Sequence, residues 1–231
     1  MQNSDPDNIT LSLPDQKNYE ISYGLALKLA AEKLTSLADL AGQCARSGAE
    51  CSLTGSHQQV RLSYLNQTYQ ISLPAVEIRV ADNPATVELR DRILILNYFL
   101  RARGTALAGR WIAYPELKEG ANYYPTFLKR AVKSLIDFFG NAPESILAPA
   151  AALGAVRASL GDLAVTIPAF PRVPVTLVLW KGDDEFPPNA NILFDSTVQD
   201  YLSAEDINVL CQTISWQLVK TLRDPAANRT K

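Results

Sequence analysis

Two runs, LAVTIPAF (163–170) and VPVTLVLW (173–180), stand either side of Pro171 and Arg172, and no other feature constrains the chain as strongly. Both are rich in β-branched and apolar residues, and the second is apolar at nearly every position, as in a strand with buried faces on both sides. They are expected to pair as antiparallel neighbours. Pro168, Pro171 and Pro174 cannot donate to a ladder, so they belong at strand ends or on an edge. After the acidic connection KGDDEFPPNA, the run NILFD (191–195) supplies a third strand.

Upstream, the short runs CSLTG, QVRLSYL, TYQISL and VEIRV alternate between residues 50 and 80 and predict an antiparallel meander, with a tight turn at Asn66 and Gln67. Helical spacing governs the rest. Tyr23, Leu27, Ala30, Leu34, Leu37, Ala41 and Cys44 recur at threes and fours and predict one helix ending near Gly48. Asn83 and Pro84 read as the cap and first residue of a second, running to Gly104 and apolar on nearly every side from Ile93 to Leu100. RWIAY (110–114) reads as a short strand and Pro115 to Tyr124 as a loop. Leu128, Ala131, Leu135 and Phe138 then share a helix face that Gly140 stops, and an Ala-rich helix restarts at Asn141 to Pro143 and runs to about Gly154. Ser203 with Asp206 is a capping pair for a last amphipathic helix through Leu222.

Strands and helices are segregated rather than alternating, which defines an α+β fold of antiparallel sheets packed with amphipathic helices. A single domain is expected over 19–223, between tails at 1–18 and 224–231.

Composition excludes several classes. With 47% apolar and 20% charged residues the chain is globular, and no apolar run approaches the roughly 20 residues of a membrane helix. MQNSDPDNIT has neither basic nor apolar signal regions, so a cytoplasmic protein is expected. A net charge of −2 argues against nucleic acid as a partner. The three cysteines, Cys44, Cys51 and Cys211, and the single histidine, His57, cannot furnish a zinc or iron–sulfur site, and no cofactor is expected. The cysteines read as small thiols in a reducing compartment, with Cys44 and Cys51 close enough in sequence for a redox pair. Phosphate loops, a nucleophile elbow and an H-E-x-x-H helix are absent, and a Ser-His-Asp arrangement would rest on His57 alone, in a turn-like SHQQ.

Charge distribution is more informative than its sum. Residues 90–133 hold nine bases against three acids, and residues 181–206 hold Lys181 against seven acids. Arg101, Arg103 and Arg110 surround a Gly-containing loop, and arginine forks suit carboxylate or phosphate groups. With Trp180 and Phe186 they form the candidate ligand-binding set. Asp183, Asp184, Glu185 and Asp195 are hard oxygen donors of the kind magnesium or calcium prefers, or a general acid/base pair if burial raised one pKa, although their spacing matches no calcium loop.

LNYFLRARGTALAGRWIAYPEL (96–117) and PRVPVTLVLWKGDDEFPPNANILFD, with YLSAEDI after it (171–207), resemble an uncharacterised bacterial and archaeal family, frequent in anaerobes and classed as a domain of unknown function. The W-x-G-D-x-E-F-P-P run with a following L-F-D carries most of the likeness, which spans Tyr19 to Leu222. Some relatives bear a cysteine-rich segment like the iron–sulfur domain of corrinoid proteins, which implies a setting beside corrinoid or one-carbon metabolism. This chain has no cluster motif, so a partner would have to supply that chemistry, and Ser203 stands where the family has Pro.

These features leave three readings. The first is a non-enzymatic binding or accessory protein for an anionic small molecule or a metalloprotein partner. The second is an enzyme using the acidic-loop carboxylates, with or without a divalent cation. In the third, the basic and acidic segments only pair with each other, at about 0–1 kcal/mol per exposed pair.

Overall fold

The structure, a computed structural model, describes residues 16–54, 57–81, 83 and 86–224. The chain is α+β, with two antiparallel sheets. Helices α1 (Gln16–Thr35) and α2 (Leu40–Ser47) lead into β1 (Glu50–Thr54), β2 (His57–Tyr64), β3 (Gln67–Leu73) and β4 (Glu77–Val80), a four-stranded meander in sequence order. Helix α3 (Leu89–Arg101) comes next, then an irregular loop to β5 (Trp111–Ala113). Beyond it are α4 (Gly120–Phe127), a π-turn over Leu128–Val132, α5 (Lys133–Phe139) and α6 (Leu147–Ala152). Strands β6 (Val156–Ala158), β7 (Leu163–Phe170), β8 (Val173–Trp180) and β9 (Asn189–Asp195) join β5 in the order β5-β9-β8-β7-β6, and α7 (Ala204–Arg223) closes the chain.

The β7–β8 hairpin forms as the sequence dictates, with Leu163 opposite Leu179 and Pro168 opposite Pro174. Both prolines lie where the next strand has stopped: β6 reaches only Thr166 on β7, and β9 only Val175 on β8. A ring stack joins the two sheets. Phe170 of β7 packs on Tyr64 of β2 at 4.7 Å and on Tyr98 of α3 at 4.1 Å, and the Leu65 amide donates to the Ala169 carbonyl at 3.0 Å. One contiguous apolar cluster therefore runs through both sheets.

Several boundaries depart from the sequence reading. The first predicted helix is two, because Thr35 and Ser36 hydroxyls return to the Glu32 and Lys33 carbonyls, and the Asp39 side chain caps a new start at the Gly42 amide. Such local bonds compete with helix continuation. Gly48 ends α2 as expected, at φ 69°. Pro84 lies outside the described residues, and α3 starts at Leu89 instead. The meander turn centres on Leu65 and Asn66, both at positive φ, rather than on Asn66 and Gln67.

The expected loop at 115–124 gives way in its second half to α4, whose first residue, Gly120, passes so close to the Tyr114 carbonyl that no Cβ fits. The face predicted from Leu128 and Phe138 has slipped: Phe127, Ala131, Leu135 and Phe139 are buried, and Leu128 is 38% exposed. Their uniform spacing of four is too long for an unbroken α-helix, and the π-turn absorbs the excess. The reading of Cys44 and Cys51 as free thiols is also corrected. They form a disulfide tying α2 to β1, and Cys211 alone remains a free, buried thiol.

Candidate functional site

On α3, Arg90, Leu94, Asn97 and Arg101 recur at intervals of four, three and four, which places them on one helix face. Tyr23, Ala26, Ala30 and Lys33, at intervals of three, four and three, share one face of α1. Between these faces and the first turns of α7 lies a cleft of about 500 Å³, within the size of small-molecule sites, about 300–1,000 Å³. Its apolar lining comes from Ile93, Leu94 and Leu100 of α3, Leu29 and Ala30 of α1 and Val209 of α7, with Tyr23, Asn97 and Ser203 as its neutral polar members.

Two carboxylates and three cations border it. Asp206 is fully engaged: one oxygen accepts from Asn97 Nδ2 at 2.8 Å, and the other from the Ser203 amide and hydroxyl at 3.0 and 2.5 Å. It fixes α7 to α3 and closes the capping box anticipated from the sequence. Glu205 stays exposed at the rim. Lys33, Arg90 and Arg101 have no carboxylate within ion-pair distance among the described residues. Three cationic groups thus border the cleft together with the exposed Glu205, and among the described residues none of the three is in an ion pair, although Arg90 acts electrostatically on its neighbour Asp91.

The other arginines go elsewhere. Arg103 pairs with Asp200 at 3.2 Å while 71% exposed, and Thr105 donates to the same carboxylate at 2.7 Å. Arg110 is exposed, and its carbonyl accepts from the Ser196 amide at 2.9 Å. This loop is held from below by Asp195, 3% exposed, which accepts from the amides of Ala108 (3.1 Å), Gly109 (2.7 Å) and Thr197 (3.0 Å) and from the Thr197 hydroxyl (2.8 Å). Burial pushes the Asp195 pKa up, but the bonds from Thr197, Ala108 and Gly109 together outweigh it and leave the carboxyl below its ordinary value. Asp195 is a loop anchor.

The acidic connection sits at the other end of β9. From Asn189 to Asp195 the strand spans about 20 Å, so Asp195 does not join Asp183, Asp184 and Glu185 in one site. Asp183 turns inward on its own loop: its carboxylate accepts from the Phe186 amide at 2.7 Å and the Glu185 amide at 2.9 Å, and these bonds lower its pKa. Asp184 and Glu185 are exposed. No group of three or more His, Cys, Asp or Glu among the described residues is placed to hold a metal ion. Trp180, 39% exposed, and Phe186, 67% exposed, are apolar side chains at either end of this acidic stretch. The His57 side chain lies outside the described residues.

Of the candidate ligand-binding and catalytic residues named from the sequence, only Arg101 reaches the cleft. Arg90, Asn97 and Lys33 were legible only as members of helix faces, a signal obscured by grouping the arginines by nearness along the chain.

Fold and cleft define an α+β protein with an apolar, cation-bordered cleft between three helices. The chain belongs to the family described as Domain of unknown function (DUF3786), whose model matches residues 39–216. That span takes in α3 and the start of α7 but not α1, so one wall of the cleft lies outside it. It is also shorter than the Tyr19–Leu222 span of the likeness seen in the sequence. No curated protein and no solved structure matches the chain. Among the described residues, no helix is long and apolar enough to cross a membrane.

Proposed function

We propose that this chain is a non-enzymatic binding protein whose cleft between α1, α3 and α7 holds a small anionic molecule. The observation that carries this reading is the placing of Lys33, Arg90 and Arg101 around one apolar cleft with no carboxylate in ion-pair reach among the described residues. Unpaired guanidinium groups beside low-dielectric walls favour a carboxylate or phosphate that can accept two parallel hydrogen bonds. Asn97 and Asp206 hold α3 and α7 at a fixed spacing, which keeps the cleft preformed.

Calorimetric titration of the full chain with small carboxylates and phosphates tests this. Replacing Arg90 and Arg101 together by Gln is expected to weaken binding more than tenfold, while the Arg103→Gln, Arg110→Gln double variant binds as the parent does. Loss of binding in the second variant and not the first would move the site to the loop and overturn the proposal. Silence with every probe would also overturn it.

One observation favours a second role beside the first. The exposed Trp180–Phe186 stretch, rigidified by the Asp183 bonds and rich in acids, has the aromatic character of a protein contact. A metalloprotein partner, in the corrinoid or one-carbon setting implied by the family likeness, would dock there. A cytoplasmic location belongs to the same proposal, and the Cys44–Cys51 bond is then a pair that a reducing compartment would open.

A further inference from the structure

We infer that the ligand of the cleft is elongated, with an anionic group at each end and an apolar middle, a medium-chain dicarboxylate being its simplest form. The inference rests on the cleft being the binding site. Arg90 and Arg101 lie on one face of α3, eleven residues apart, so their Cα atoms are about 16 Å apart along the axis. Side chains on a helix all lean toward its N-terminus, so both guanidinium groups shift the same way and the separation is preserved. With each paired to a carboxylate at an ordinary charge-assisted distance, about 9 Å remains between the two carboxylates.

The residues between the arginines decide the chemistry of the middle. Ile93, Leu94 and Leu100 from α3, Leu29 and Ala30 from α1 and Val209 from α7 border the cleft. Asn97, the polar residue midway along the stripe, already has its amide nitrogen on Asp206. A polar link between the two anionic groups would lose water against these apolar side chains, whereas methylene groups gain from burial. A short dianion reaches one arginine only, and a fatty monoanion leaves the second guanidinium unpaired.

The test titrates the full chain with octanedioate, octanoate and butanedioate. Octanedioate is expected to bind at least tenfold more tightly than either comparison. Arg90→Gln and Arg101→Gln are each expected to erase the advantage over octanoate, with unchanged circular dichroism and thermal midpoint, and Arg103→Gln to leave all three affinities as they were. If octanoate binds as tightly as octanedioate, or only one of the two arginines matters, the two-ended ligand is overturned while the cleft keeps its binding role. If butanedioate binds best, the apolar middle is overturned. If none of the three binds and the wider panel of anions is also silent, the binding proposal falls with it.

Discussion

Removing the Asp195 carboxylate tests how the loop after α3 is held. In Asp195→Ala the amides of Ala108, Gly109 and Thr197 lose their acceptor, and each buried donor left unpaired costs about 1–3 kcal/mol. Residues 106–110 are exposed, so water can reach part of the loop, and the low end of that range applies. A loss of about 3 kcal/mol is expected for Asp195→Ala, and about 2 kcal/mol for Asp195→Asn, which keeps one acceptor. Urea unfolding should show a lower midpoint with an unchanged slope. The pH dependence carries an independent sign. Because the folded carboxyl titrates below its unfolded value of about 3.9, its contribution is fully present above that pH and is lost as pH falls through the folded value. The gap between the parent and Asp195→Asn should therefore hold steady from about pH 7 to pH 5 and narrow below about pH 4. A loss under about 1 kcal/mol for Asp195→Ala, or a gap that ignores acid, would refute the anchoring account.

The Cys44–Cys51 bond closes a loop with a sequence separation of 7, for which chain entropy gives about 2.5 kcal/mol of stabilisation. Dithiothreitol should lower the stability of the parent by about that much and leave Cys51→Ala unmoved, and alkylation with mass spectrometry should find only Cys211 reactive after denaturation in oxidising buffer. Two further free thiols there would contradict the bond. Gly120→Ala drives a methyl group into the Tyr114 carbonyl and should cost about 2–3 kcal/mol, read as a lower urea midpoint; a change within about 0.5 kcal/mol would mean that the start of α4 yields easily.

How far the sequence carried depended on whether a pattern was local. The β7–β8 hairpin was legible because its pattern and its turn are contiguous, and the Ser203 cap because the motif is complete within four residues. The break between α1 and α2 was hidden because the apolar face from Tyr23 to Cys44 keeps helical spacing across it; only the hydroxyls of Thr35 and Ser36 and the cap at Asp39 marked it. At 127–139 the residues chosen assumed 3.6 per turn where the chain uses a π-turn, so the predicted face missed by one residue at each end. The arginines failed for a geometric reason. Arg101, Arg103 and Arg110 are neighbours in sequence, but α3 ends at Arg101, so Arg103 and Arg110 are directed by the loop and no longer by the helix.

That ending explains why the two recognisable stretches, 96–117 and 171–207, belong together in space though neither forms the cleft alone. Asp195 and Asp200 lie just before α7, and both grip the segment that leaves α3: Asp195 through the amides of Ala108 and Gly109, Asp200 through Arg103 and Thr105. The Tyr201 hydroxyl adds a bond to the Thr105 carbonyl. Within the next five residues, Ser203, Glu205 and Asp206 border the same cleft as Arg101. Asp195 and Asp200, read as possible catalytic or pairing groups, therefore act on the other side of the same turn, fixing the exit of α3 against the entry of α7. Arg101 is left outside those pairs, and its charge stays available because Asp200 is occupied by Arg103 and Thr105, and Asp206 by Asn97 and Ser203.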